Sequence, residues 1–149
     1  MKFYNYDIVF QEIPDETALA INLTNCPNRC DGCHSPHLWQ DIGQELTEDV
    51  LRNLLNKYRQ MITCVCLMGG DGQRNEVESF ARYIRENTSL KMAWYSGREQ
   101  LPSNLESFDY VKLGRYVPAC CGLKSRTTNQ RLFKLEENKI EDITARFWK

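Results

Sequence analysis

The chain has 149 residues, 42% of them hydrophobic, with three Trp, seven Tyr and six Phe; that is about the length of one ordinary domain and enough apolar material for one core. Charged residues make up 26% and nearly cancel, leaving a formal charge of -1, so there is no electrostatic reason to expect nucleic acid or an acidic membrane as partner. No apolar run approaches the roughly 18 residues of a transmembrane helix, and the start MKFYNYDIVF lacks the profile of a secretory leader, which leads to the expectation of a soluble, cytoplasmic protein. Seven cysteines form an odd set, and in a reducing compartment metal binding or redox chemistry is a better use for them than a disulfide framework.

No internal repeat, low-complexity segment or linker interrupts the chain, so residues 1–149 read as one domain. TALAINLT (17–24) is predicted to be a strand that ends where a cysteine-rich stretch begins. LTEDVLRNLLNKY (46–58) places Val50, Leu51, Leu54, Leu55 and Tyr58 at helical spacing, with Thr47 as N-cap and Glu48 and Asp49 in the first turn. ITCVCLM (62–68) is a continuous apolar run stopped by Gly69-Gly70, the pattern of a strand buried on both faces. Val77, Phe80, Ala81 and Ile84 mark a second amphipathic helix. LKMAWYS (90–96) and DYVKLG (109–114) read as a third and a fourth strand, stopped by Gly97 and Gly114.

Strands alternating with helices predict right-handed crossovers. The expected fold class is α/β: a single-domain, partial (open) β/α barrel with a mainly parallel sheet of four or five strands. Such folds carry their sites at the C-terminal strand ends, where each unusual stretch falls. The cysteine stretch follows the first strand, GGDG the second, SGR the third and GRY the fourth.

The stretch NCPNRCDGCHSPHLW (25–39) holds three cysteines, two histidines and a tryptophan. Cys26, Cys30 and Cys33 are spaced C-x3-C-x2-C, and Pro27 and Gly32 argue for a curling loop rather than a helix. Three uses stay open on the residues alone. Free cysteines can be small buried apolar groups. With His34 or His37 they would make a Cys3His zinc-binding interaction module. A four-iron cluster held by three thiolates would keep one iron without a protein donor. Cys64 and Cys66 point to one face of a buried strand, where packing is their expected role, while the role of Cys120 and Cys121 is open.

C-x3-C-x2-C after the first strand of a parallel α/β domain resembles the signature of the radical S-adenosylmethionine enzymes. LMGGDG (67–72) looks like that family's Gly-Gly-acid motif, and WYSG (94–97) is similar to its hydroxyl-plus-glycine segment. KSRTTNQRLFKL (124–135) resembles a Ser/Thr-Asn-Gln segment of one branch, the activating proteins of anaerobic ribonucleoside-triphosphate reductase. Two departures stand out: Gly32 replaces the aromatic residue that many members carry before the third cysteine, and the acid is Asp71 rather than Glu.

The resemblance implies a [4Fe-4S] cluster on Cys26, Cys30 and Cys33 and S-adenosyl-L-methionine at the open iron. It implies cofactor contacts from Gly32, Cys33, His34, Trp39, Gly69, Gly70, Asp71 and Ser96, with Asp71 on the methionine ammonium, Trp39 or the backbone near His34 on the adenine, and Ser96 on carboxylate or ribose. No catalytic residue is expected beyond these cluster and cofactor ligands. The implied activity is a glycyl-radical-enzyme activase. Its partners would be the large subunit of the anaerobic reductase, which offers a glycine loop, and a one-electron donor such as flavodoxin. Another small radical enzyme acting on a small molecule is the alternative within the same chemistry. Lys112 reads as an inward-facing strand lysine or a solvated one, Asn129 and Gln130 as cofactor-facing or surface polar residues, and Arg74, Arg98 and Arg115 as loop arginines that could meet an acidic partner segment.

Overall fold

Which side chains a strand buries, and with what, decides what can be packed on each face of a sheet. The structure, a computed structural model, describes residues 1–137 and 139–148. Its strands are β1 (Lys2–Val9), β2 (Ala18–Leu23), β3 (Gln44–Glu45), β4 (Cys64–Met68), β5 (Lys91–Tyr95), β6 (Tyr110–Leu113), β7 (Arg131–Glu136) and β8 (Lys139–Asp142), with helices α1 (Glu48–Tyr58) and α2 (Arg74–Asn87). They form one sheet in the order β3-β1-β2-β4-β5-β6-β7-β8.

The central strands β2, β4, β5 and β6 run parallel, and they are the four read from the sequence. Both flanks are antiparallel: β1 on β2, β3 on β1, β7 on β6 and β8 on β7. Among the described residues, four of the seven pairings are therefore antiparallel, and the expected mainly parallel partial barrel is replaced by an open mixed sheet. The physical reason lies in the connections. A parallel neighbour needs a crossover, usually helical: α1 and α2 supply two, and the link from β5 to β6 makes the third with just a short 3-10 turn at Leu105–Ser107. No further crossover follows among the described residues; beyond β6 the chain doubles back into β7 and β8, and β1 precedes β2 as an antiparallel neighbour.

The two faces differ. Leu19, Ile21 and Leu23 of β2, Val65 and Leu67 of β4, Met92 and Trp94 of β5, and Val111 and Leu113 of β6 form one face of the core with Leu51, Leu54 and Leu55 of α1 and Val77, Phe80, Ala81 and Ile84 of α2. Thr47 caps α1, its Oγ1 accepting from Val50 N at 3.2 Å. The opposite face is built from small side chains, Ala18, Cys64, Cys66 and Ala93, together with Tyr110, and it is covered by Ile13, Ile143 and Phe147 rather than by helices. Strand register places Asn22, Met68, Tyr95 and Lys112 in one row across β2, β4, β5 and β6. In a parallel sheet side chains in one row share a face, so this row is the C-terminal rim of the small-residue face, beside the point where the cysteine stretch leaves β2. No helix among the described residues is long and apolar enough to cross a membrane.

Candidate metal centre

The cysteine stretch is a closed loop. Asn25 N donates to Gln40 O at 3.2 Å and Cys26 N to Leu38 O at 3.0 Å, which join the two ends of the loop. Between them the chain turns sharply, with positive φ at Asn25 (60°), Arg29 (44°) and Gly32 (72°). At Gly32 a Cβ would stand 3.2 Å from the Tyr116 ring and 3.1 Å from Pro118, so glycine both permits the turn and lets the loop after β6 lie against it. Tyr116 and Pro118 fill the space beside Gly32. Cys33 N donates to Cys30 O at 3.1 Å, and Cys33 Sγ accepts from Ser35 N at 3.4 Å. Cys30 is buried at 9% exposure, and Cys26 and Cys33 are half-buried. All seven cysteines are free.

Among the described residues no three Cys, His, Asp or Glu side chains are gathered to hold a single metal ion. Ligands of one ion stand about 4 Å apart, given metal–sulfur bonds of about 2.3 Å; the loop's thiols are not drawn together in that way. His34 is exposed and lies against Tyr116, with ring centroids 5.4 Å apart, and His37 packs on Tyr4 at 4.9 Å. Burial pushes the thiols of Cys64 and Cys66 well up, which keeps them protonated and unsuited to bind metal. Cys120 and Cys121 sit in a tight turn, both donating N–H to Val117 O at 2.9 and 3.0 Å.

The next strand end gives the centre its frame. Gly69 and Gly70 both take positive φ, 102° and 88°, and a Cβ on Gly70 would collide with Val77 and Leu23, at 2.6 and 2.9 Å. The turn aims Asp71 inward. Its carboxylate is buried and accepts four hydrogen bonds: from Asn28 Nδ2 at 2.6 Å, Gly97 N at 2.8 Å, Ser96 Oγ at 2.5 Å and Arg74 Nη1 at 3.1 Å. That is the full capacity of a carboxylate. The ends of β4 and β5 are thereby tied to the cysteine loop through Asn28, which lies between Cys26 and Cys30. The role that the resemblance gives Asp71, on a ligand ammonium, requires one of these donors to yield. Ser96 is likewise committed: it accepts from Arg98 N at 3.0 Å while donating to Asp71. Arg74 lies 4.5 Å over the Trp94 ring and also donates to Gln100 O at 2.6 Å, so it serves the frame rather than an outer surface. Arg98 and Arg115 converge on Asn28, each at 3.4 Å. Asn129 donates to Arg115 O at 3.0 Å and Gln130 to Gly114 O at 3.3 Å.

One atom in this region has no protein partner. Trp39 Nε1 is buried and unbonded among the described residues, with Arg29 5.8 Å over its ring. A buried N–H without an acceptor is costly, and this one sits in the same loop as the three thiols, so the loop fits a bound group that brings acceptors of its own. Asn28 and Tyr116 were not singled out from the sequence; a polar residue inside a C-x3-C spacing was the available signal for the first, and the second had none. A family model described as a 4Fe-4S single cluster domain matches residues 17–113. No curated protein and no solved structure gives a match.

Proposed function

The chain belongs to the 4Fe-4S single cluster domain family, and from that premise we propose that it is a radical S-adenosylmethionine activase. In this reading Cys26, Cys30 and Cys33 hold three irons, the fourth is left for S-adenosylmethionine, and the substrate is a glycine loop on the large subunit of an anaerobic ribonucleoside-triphosphate reductase. A one-electron donor such as flavodoxin would reduce it. The observation that carries the reading is the pairing of a three-thiol loop at the end of β2 with a Gly-Gly-Asp turn at the end of the adjacent parallel strand, joined through Asn28 and Asp71 at 2.6 Å.

The chemistry supplied by the bound cluster is delivery of one electron to the sulfonium, whose cleavage gives methionine and a radical able to take hydrogen from glycine. The chain's own residues position and shield. Asp71 fixes the height of the cysteine loop against β4 and β5. Gly70 keeps β4 close to Leu23, so the loop and the turn after β4 open side by side. Trp39 offers its unpaired N–H, and its indole body excludes water from the loop. Cys30, the most buried of the three thiols, anchors the inner side.

Anaerobic reconstitution with iron and sulfide, followed by reduction in the presence of S-adenosylmethionine and the reductase, should give 5′-deoxyadenosine and a glycyl signal in paramagnetic resonance. A protein that carries its full iron and sulfide yet yields neither product would overturn the activase reading. Turnover of a small molecule with no protein partner present would move the substrate from protein to small molecule.

A further inference from the structure

Lys112 is the residue whose surroundings this function leaves unexplained. It lies on β6, between β5 and β7, and is 7% exposed. Its ammonium has one hydrogen bond, to Gly114 O at 3.0 Å, and stands 5.5 Å from the Tyr95 ring. It forms no ion pair among the described residues. Packing alone asks only for a long apolar side chain here, and a buried ammonium without a counter-ion is costly. Burial accordingly pushes its pKa down to about 8, while the ionisable groups that act on it in the other direction are Asp71, Cys30, Cys66 and Cys26. Asp71 is already paired with Arg74, and Cys66 is protonated. The remaining groups on this side of the cation are Cys30 and Cys26 of the cysteine loop, with whatever they hold.

We infer that Lys112 is the counter-charge of the cluster centre, a positioning residue that makes the cluster easier to reduce. The inference rests on the cluster reading above. A fixed positive charge inside a low-dielectric site favours the more negative member of a redox couple, and the reduced cluster carries one more electron than the oxidised one. The geometry supports this placement: the register puts Lys112 on the C-terminal rim of the small-residue face rather than the helix-covered face, and just past it the chain meets the cysteine loop, with Arg115 donating to Asn28 O at 3.4 Å and Tyr116 lying against Gly32.

The test is a potentiometric titration, followed by paramagnetic resonance, of reconstituted wild type, Lys112→Met, Lys112→Gln and Lys112→Arg, with iron and sulfide content measured on each. The neutral variants should hold the cluster and show at least a tenfold lower ratio of reduced to oxidised form at a fixed potential, which is about 59 mV for one electron. Lys112→Arg should recover most of that loss. If both neutral variants lose the cluster while the arginine variant keeps it, the charge serves to hold the cluster rather than to tune its potential, and the proposal is overturned. Loss in all three variants would mark a packing role and overturn it. An unchanged potential overturns it as well; weaker S-adenosylmethionine binding at unchanged potential would assign the ammonium to that ligand's carboxylate instead. A wild type that binds no cluster sinks the underlying reading, whereas a normal wild type with an unshifted Lys112→Met sinks only this one.

Discussion

The four parallel strands carry a buried carboxylate at each end, and the two differ in what depends on them. At the N-terminal end, Glu16 accepts from Thr63 Oγ1 at 2.6 Å, Tyr110 Oη at 2.7 Å and Lys91 Nζ at 2.8 Å. Those partners belong to β5, β6 and the lead-in to β4, so the network clamps strand starts to one another. At the C-terminal end, Asp71 accepts four donors, and one of them, Asn28, belongs to the cysteine loop. Both acids are satisfied, so satisfaction alone does not mark function. The lesson is positional: the same device closes the sheet at one end and suspends a reactive loop at the other. Mutations at the first end should cost stability only, and mutations at the second should cost stability and metal together.

The largest separation is expected between cysteines. Cys30→Ser should abolish the cluster, because a serine hydroxyl is not ionised near neutral pH and ligation needs the anion. Cys64→Ser should leave iron and sulfide at the wild-type level, since that thiol is buried in β4 and held protonated. Iron and sulfide analysis with an absorption spectrum reads both; equal cluster content in the two variants would break the assignment of the loop. Next comes Asp71→Ala. It strands Arg74, Ser96 and Asn28 and should cost about 3 kcal/mol or more in denaturant unfolding of the cluster-free protein, with reduced iron content after reconstitution. Glu16→Gln should cost about 1–3 kcal/mol through its lost charge-assisted bonds and leave iron content unchanged. If Glu16→Gln lowered metal content as much as Asp71→Ala, the contrast between the two ends would be wrong.

What the sequence made legible follows the same contrast. The four parallel strands and both helices were readable because each is a run buried by its own pattern; Thr47 and the GG stop after β4 were readable as local chemistry. The flanking strands were not. β1 buries only Phe3 among its eight residues and β8 buries none, so neither carries the alternation that announces a strand, and the antiparallel flanks that overturn the barrel went unread. That omission has a consequence at Lys112. With β7 paired to it, β6 is an interior strand, and Lys112 is buried rather than solvated. Asp71 illustrates the other limit. GGDG gives the turn, yet the donors that fill its carboxylate come from 43 residues upstream and 25 downstream. Local sequence does not encode such convergence; only the strand order does.

The smallest effect sharpens the comparison by isolating the charge of Glu16. Burial alone would raise its pKa, but hydrogen bonds from Lys91, Thr63 and Tyr110 outweigh that cost and hold it below the ordinary value of 4.5. The unfolded chain therefore takes up its proton first as the pH falls. The stabilisation is complete above about pH 4.5 and is lost as the pH drops from there through the lower, folded-state pKa. Glu16→Gln removes this contribution, so the difference in unfolding free energy between wild type and variant should be constant above about pH 5 and shrink steadily below it. Asp41, held below its ordinary value by Lys2, titrates in both proteins and cancels in the difference. Denaturant unfolding of the cluster-free proteins at several values between about pH 3 and 7 measures the curve. A difference that stayed flat across that range would mean the clamp at the N-terminal end works through shape and neutral hydrogen bonds, leaving charge as the property of the cluster end alone.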